Sequence, residues 1–345
     1  MSNSTEGILL GIGNPLLDIS AHVKQEFMDQ YNIKPNNAIL AESQHLPMYE
    51  QMINEYQVEY TAGGATQNTI RIAQHFLMTS NSTTYIGCIG NDKFGEQLRN
   101  SANADGVTTL YRIDQSEPTG TCAVAIINKE RSLVANLGAA NKYESSHLQL
   151  PQVQAAINKA KYFYSAGFFL TVSPESLMKI AQHVESNHKI LGINLAAPFI
   201  AQFFTQPLLA ALEYADYIFG NESEAEAFGT VQKLDDNTPE SVAKYLSQYK
   251  SVRSNGHKRV AVITQGSKQT IVAVDGNITT YPVPVLSSDL IVDVNGAGDA
   301  FVGGFISQLV QGKSIEQCVH AGHFAARNII QVSGINLHSM PKTIQ

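Results

Sequence analysis

Along most of this chain a short apolar run leads into a stretch of helical period, and the pair then repeats. Residues 8–12 are an apolar run closed by Gly13. Ala65–Leu77 carries apolar residues at helical spacing, residues 83–89 return to a β-rich run ending in Gly90, and residues 93–102 are helical again. Tyr162–Ala166, Ile190–Asn194, residues 217–219 and Val260–Thr264 are further β-rich runs, each passing through Gly, Asn or Pro into a helical stretch. Strands that alternate with helices need apolar cover on both faces. The pattern therefore predicts an α/β fold, a three-layer sandwich with a mainly parallel central sheet. Ligands of such sheets bind beyond the carboxyl ends of the strands, which directs attention to the Gly- and Asn-rich segments there.

Two stretches break the rhythm. The first, residues 18–61, contains strand-like pieces at 39–41 and 58–61. The second, residues 118–137, alternates like a hairpin: Thr121–Ile127, a turn near 128–130, then 132–135. We read them as one small β lid domain, interrupting a large α/β domain made of residues 7–17, 62–117 and 138–340.

Composition removes several classes. With 43% apolar and 15% charged residues over 345 positions, the chain has enough apolar material for a large core. A formal net charge of −7 and no Lys/Arg-rich run argue against nucleic acid or a membrane surface as partner. A phosphate ester would therefore have to be held by local donors and metal ions. The opening Met-Ser-Asn-Ser-Thr-Glu lacks the pattern of a signal peptide, and no apolar run approaches the ~18 residues of a membrane span. Cys88, Cys122 and Cys318 are scattered and odd in number, as in a reduced compartment. We expect a cytoplasmic protein and leave the nucleus open.

The densest chemistry lies in Asp293-Val294-Asn295-Gly296-Ala297-Gly298-Asp299-Ala300-Phe301, which follows the apolar run 290–292, read as a strand, and precedes a helix over 300–310. The glycines allow backbone to approach a ligand, and the N–H groups of Gly296, Ala297 and Gly298 would be free donors at a helix N-terminus, a site for phosphate. Asp299 then stands in the first turn beside the anion. An Asp that merely stabilises a helix N-terminus has the same spacing, so the two readings stand level here. Asn221-x-x-Glu224 sets two oxygen ligands on one helix face, and reads equally well as a capping box. His320-x-x-His323 has no third ligand at a metal-binding spacing. No Gly-x₄-Gly-Lys-Ser/Thr occurs, so no P-loop lysine is available, and Gly11-x-Gly13 lacks the third Gly of a dinucleotide fingerprint.

Gly296-Ala297-Gly298-Asp299 resembles the C-terminal signature of the ribokinase-like (PfkB) sugar and nucleoside kinases. Ala62-Gly63-Gly64-Ala65-Thr66-Gln67-Asn68 resembles that family's early Gly-Gly turn. Within the family, Gly13-Asn14-Pro15-Leu16-Leu17-Asp18, Pro118-Thr119-Gly120-Thr121-Cys122, Ala166-Gly167-Phe168-Phe169-Leu170-Thr171 and Phe219-Gly220-Asn221-Glu222-Ser223-Glu224 are similar to the adenosine kinases of eukaryotic type. The likeness runs from about residue 7 to about 335.

The resemblance implies an ATP- and Mg²⁺-dependent enzyme that phosphorylates the 5′-hydroxyl of adenosine. Asp299 would be the general base, the Gly296, Ala297 and Gly298 amides an anion hole with Asn295 beside it, and Arg131 a cation folding over the phosphate. Asn14, Asp18, Gly63, Gly64 and Asn68 would bind the ribose. Ile39, Leu40, Cys122, Leu133, Ala135 and Phe169 would surround the base. Asn194, Asn221, Glu224, Thr264, Gly266 and His323 would line the ATP side, with Asn221 and Glu224 holding Mg²⁺ through water. The family often has Thr where this chain has Val294, so any role of that hydroxyl is lost. A K⁺ site at nearby carbonyls is left open, and we expect a monomer. The alternatives are a related kinase of another nucleoside or of a free sugar, the latter needing more polar groups in the base pocket, and a non-catalytic nucleoside-binding protein, which would be expected to lack Asp299 or the Gly-rich anion site.

Overall fold

The structure is a computed structural model and describes residues 5–35, 37–127, 130–254 and 256–344. Its strands are β1 (Leu9–Ile12), β2 (Leu16–His22), β3 (Ala38–Leu40), β4 (Glu59–Gly63), β5 (Thr83–Gly90), β6 (Thr108–Asp114), β7 (Thr121–Ile127), β8 (Glu130–Asn136), β9 (Tyr162–Ala166), β10 (Ile190–Asn194), β11 (Tyr217–Asn221), β12 (Val260–Thr264), β13 (Thr270–Val274) and β14 (Asn277–Tyr281). Nine of those described form the central sheet, in the order β14-β13-β12-β11-β10-β9-β1-β5-β6. It is parallel from β12 through to β6, and β13 and β14 extend it as an antiparallel edge.

Period-two alternation on these strands supplies both apolar layers. Leu10, Ile12, Phe163, Ile218, Ala261 and Ile263 face the helices 151–159, 174–186, 205–212, 222–231 and 239–248. Leu9, Tyr164, Phe219, Val260 and Val262 face the helices 65–77, 93–104, 297–310 and 315–329. Each fully buried Leu, Ile or Phe in these layers contributes roughly 1.5–3 kcal/mol. The α/β sandwich expected from the alternation is the architecture observed.

The second sheet has the order β3-β8-β7-β2-β4, so the two stretches that broke the rhythm build one sheet together. One face carries Ile19, Ala21, Ala123, Ala125 and Val134 against Phe27, Met28, Met48, Tyr49 and Met52 of the helices Gln25–Gln30 and Leu46–Glu55. The opposite face looks toward the carboxyl end of the large sheet. The hairpin turn expected near 128–130 begins at Asn128 and Lys129, which lie outside the described residues.

Some elements differ from expectation. The run 290–292 is not a strand: Ser288–Leu290 is a 3₁₀ turn. The N–H groups of Val292 and Asp293 both donate to the carbonyl of Ile330, at 2.9 and 3.2 Å, so the segment is tied to a helix end instead of a sheet edge. The following helix begins at Ala297, three residues before the expected start. β2, β6 and the β13–β14 hairpin were not foreseen: β2 does alternate, with Leu17, Ile19 and Ala21 on one face and Asp18 and Ser20 on the other, while Arg112 on β6 and the polar Asn277, Thr279 and Thr280 on β14 break the apolar pattern.

Candidate active site

The strand order reverses at β1, which lies between β9 and β5. Chain leaving β1 and chain leaving β9 diverge there and open a crevice, the usual ligand position in such sheets. Asn14, just past β1, donates from Nδ2 to the carbonyl of Phe168, just past β9, at 3.1 Å and so spans the crevice. Around this point lies a cavity of about 310 Å³, roofed by the small sheet.

The roof is a register effect. Asp18 on β2 pairs with Cys122 on β7, Cys122 with Ala135 on β8, and Ala135 with Leu40 on β3. Neighbours across a sheet share a face, so these four side chains form one row. All four line the cavity, joined by Ile39 and Leu133. The roof is thus apolar except for the Asp18 carboxylate at one end.

The floor is built by the helices Ala65–Leu77 and Ala297–Val310. Gly64 caps the first with φ +93°, and Gly296 caps the second with φ +75°. Both values belong to glycine, and a Cβ on Gly64 would stand 2.3 Å from the Asn14 carbonyl oxygen. Asp299, in the first turn of the second helix, accepts a hydrogen bond from Asn68 Nδ2 at 3.0 Å. The helix start leaves its first N–H groups without intrahelical acceptors. One of the three expected free donors is nevertheless engaged: the Ala297 N–H donates to the Val294 carbonyl at 3.3 Å, because the turn closes on itself there.

Two asparagines have split their amides. The Nδ2 groups of Asn14 and Asn68 are committed, to Phe168 and Asp299, while their Oδ1 atoms are buried without a hydrogen-bond partner among the described residues. An unsatisfied buried acceptor is costly, so each asks for a donor from a ligand, as a hydroxyl group supplies.

Three carboxyl groups share the cavity, and burial pushes each up to about 7. For Asp18, the nearby Arg131 opposes the rise and the Asp299 charge adds to it. For Asp299, the Asn68 hydrogen bond opposes it. For Glu224, the Asn221 N–H opposes it and the Asp299 charge adds to it. Asp299 is thus poised at neutral pH, as a general base requires.

Asn221 and Glu224 form a capping box. The Asn221 side chain accepts from the Glu224 N–H at 2.9 Å, and the Glu224 carboxylate accepts from the Asn221 N–H at 3.0 Å and from Asn221 Nδ2 at 2.8 Å. The pair lines the cavity while satisfying itself, and no group of three or more His, Cys, Asp or Glu that could hold a metal occurs among the described residues. Such donors suit a hydrated Mg²⁺ contacted through its waters.

Asn194, Thr264, Phe169, Asn295 and Gly298 also line the cavity; Gly63, Ala297, Arg131, Gly266 and His323 do not. Gly63 lies behind Asp18, and a Cβ there would stand 2.3 Å from Asp18 Oδ1. Arg131 is buried, with Nε 2.6 Å from Asp293 Oδ1 and a hydrogen bond to Ser333 Oγ at 3.1 Å. His323 packs on Phe301 and meets Thr270 Oγ1 at 2.8 Å; burial pushes its imidazole down to about 4 and keeps it neutral. Asn194 turns its Oδ1 to the Ala196 N–H at 2.9 Å.

Sequence reading missed Leu16, Leu137, Phe168, Ala196 and Phe199, all in the cavity wall. Phe168 and Phe199 approach each other with ring centres 6.0 Å apart, whereas the nominated Phe169 is fully buried against Tyr143. Phe168 sits in the 3₁₀ turn Gly167–Thr171 just past β9, and Phe199 in the helix Pro198–Phe203 that follows β10, where the sheet topology already points.

A parallel α/β sheet with a second sheet over its carboxyl edge, and a glycine-capped helix start bearing a poised acid, is the framework of a phosphotransferase acting on a hydroxyl group. The chain belongs to the pfkB family of carbohydrate kinases, whose family model matches residues 29–343. It is 51% identical over 340 residues to adenosine kinase 1 of Arabidopsis thaliana, covering 99% of this chain and 98% of that one. To the adenosine kinase of Dictyostelium discoideum it is 41% identical over 338 residues, covering 98% of each. Among solved structures, Anopheles gambiae adenosine kinase in complex with P1,P4-di(adenosine-5) tetraphosphate matches with a TM-score of 0.94 at 41% identity, over 97% of this chain and 99% of that one. Schistosoma mansoni adenosine kinase in complex with adenosine matches at 0.92 and 35%, over 96% and 97%.

Proposed function

We propose that this chain transfers the γ-phosphoryl group of ATP to the 5′-hydroxyl of adenosine, giving AMP and ADP. The observation that carries the reading is the placing of Asp299: a poised carboxylate at a glycine-capped helix start, hydrogen-bonded to an asparagine whose other amide atom awaits a hydroxyl donor.

In this reading Asn14, Asp18 and Asn68, with the Gly63–Gly64 turn, hold the ribose hydroxyls. The base lies under the row of Cys122, Ala135 and Leu40, with Ile39 and Leu133 beside it and Phe168 and Phe169 at its edge. The 5′-hydroxyl then reaches Asp299, which takes its proton as the oxygen attacks phosphorus. The helix start, with Gly296, Gly298 and Asn295 around it, faces the charge on the transferring group. Asn194 and Thr264 bound the ATP side. Asn221 and Glu224 would hold Mg²⁺ through its water shell, and the ion supplies charge neutralisation between the phosphates.

Arg131 enters this scheme only by exchanging Asp293 for a phosphate when the small β domain, residues 18–61 and 118–137, closes as a lid. A K⁺ site would rest on the backbone carbonyls near Asp293 and Val294, since the Asp293 carboxylate already receives the Asn295 N–H at 2.9 Å, the Gly334 N–H at 3.0 Å and the Arg131 charge; no step is routed through it. We read the chain as a cytoplasmic monomer; among the described residues no helix is long and apolar enough to cross a membrane.

The test is ATP consumption by the purified protein with Mg²⁺, run in parallel on adenosine, inosine, guanosine and ribose with product identification. AMP from adenosine with little product from the others is expected. Preference for ribose or another nucleoside would overturn the substrate, and inactivity on all four would overturn the catalytic reading.

A further inference from the structure

The Gly63–Gly64 turn is held from below by side chains that the proposed mechanism does not use. The Ala62 carbonyl accepts from Arg71 Nη1 at 2.9 Å, and the Gly63 carbonyl accepts from Gln67 Nε2 at 3.0 Å. Gln67 and Arg71 are one helical turn apart on the helix Ala65–Leu77, and so present one face to the strand that enters the turn. Each is held in turn. Gln67 Oε1 accepts from the Tyr111 hydroxyl at 2.5 Å, across on β6, and Arg71 Nε lies 2.6 Å from Asp105 Oδ2. Gln67 is 0% exposed and Arg71 5% exposed.

Apolar side chains would fill this layer at less desolvation cost, since buried polar groups lose water and regain only what their partners return. What the polar pair supplies instead is direction, because fully satisfied buried networks fix one geometry. The geometry at stake is narrow. β4 pairs with β2 in the register Leu16–Gly63, Leu17–Ala62 and Asp18–Thr61, so the height of the turn sets the height of Asp18. A Cβ on Gly63 would lie 2.3 Å from Asp18 Oδ1, and one on Gly64 2.3 Å from the Asn14 carbonyl, which leaves no slack between turn and acceptor groups.

We infer that Gln67 and Arg71 are positioning residues of the phosphoacceptor site, setting Asp18 and Asn14 through the Gly63 and Ala62 carbonyls. The inference rests on the reading of Asp18 and Asn14 as ribose-binding. Gln67 and Arg71 touch neither substrate nor reacting atoms. Their effect falls on adenosine binding and leaves the ATP side alone, because the carbonyls they hold belong to the turn beneath the small sheet. Tyr111 and Asp105 extend the same support to the far edge of the large sheet.

The test uses the full chain with Gln67→Leu, and Tyr111→Phe beside it, which removes only the hydroxyl that orients Gln67. For Gln67→Leu, amide exchange over residues 62–66 is expected to quicken about tenfold and the adenosine KM to rise about tenfold, with the ATP KM within about twofold. For Tyr111→Phe about threefold effects of the same kind are expected. Unchanged exchange with an unchanged adenosine KM in a folded variant, or equal rises in both KM values, would overturn the inference. If Gln67→Leu does not fold, Tyr111→Phe decides by the same readouts. Asp18→Ala serves as the control: an unchanged adenosine KM there would overturn the ribose-binding reading itself, while exchange in Gln67→Leu still judges whether the side chains hold the turn.

Discussion

Asp299 takes its proton affinity from its surroundings, and that has consequences of opposite sign for rate and for stability. Burial pushes its carboxyl up from 3.8 to about 7. A base acts only when ionised, so kcat should climb as pH rises through about 7. Stability should move the other way. The native state binds protons at Asp18, Asp299 and Glu224 that the unfolded chain has released above about 4, so ligand-free protein should lose stability as pH rises from there to about 7, measured by denaturant midpoint. Asp299→Asn should retain adenosine binding and lose about 10²–10⁴ in turnover, with the rising limb of the pH profile flattened. Wild-type turnover in that variant would remove Asp299 from the chemistry.

At the scale of the element, two glycines separated only by Ala297 do different work at the start of the helix Ala297–Val310. Gly296 has φ +75°, and a Cβ there would stand 2.3 Å from Ile335 Cδ1. Gly298 has no such φ, and a Cβ there meets nothing within 4 Å. Gly296→Ala should therefore cost about 1–3 kcal/mol in denaturant titration, through strain. Gly298→Ala should keep its Tm and still lose turnover, since the added methyl stands where phosphate must approach backbone. Equal turnover in Gly298→Ala and the parent would argue against phosphate binding at this helix start.

Across the whole molecule, one ion pair joins the small sheet to the glycine-rich loop. Arg131 on β8 and Asp293 are 5% and 2% exposed at their side chains, with Nε and Oδ1 2.6 Å apart. Asp293 also receives the N–H groups of Asn295 and Gly334, so sheet, loop and C-terminal segment meet at one carboxylate. Arg131→Met strands that charge in a buried place and should cost roughly 3–5 kcal/mol in denaturant titration. If the small sheet closes on substrate, adenosine should slow amide exchange over residues 120–135. Unchanged exchange there would remove the support for a lid.

Much of this was legible in the chain. The strands Tyr162–Ala166, Ile190–Asn194 and Val260–Thr264 and the helix Ala65–Leu77 have the bounds their periodicity predicts, because apolar neighbours cover each of them; the first two strands stop at Gly167 and Asn194, and the helix at Met78 with φ +58°. The glycine-rich segment, Asn68 and Asp299 were likewise visible as residue types in order, though not the hydrogen bond that Asn68 donates to Asp299. What sequence alone left open was direction. The same Asn221-x-x-Glu224 spacing serves a cap and a metal ligand, and only the fold shows both carboxylate oxygens taken up by the cap. Arg131 read as a free cation until tertiary contact paired it with Asp293, 162 positions away by their numbers. Phe168 and Phe199 entered the cavity wall because two strand ends distant in sequence lie side by side in the sheet. Local pattern determines which elements form, since propensity and period act over a few residues. The partners of buried charges and the walls of the site are decided only when the sheet order brings remote segments within contact distance.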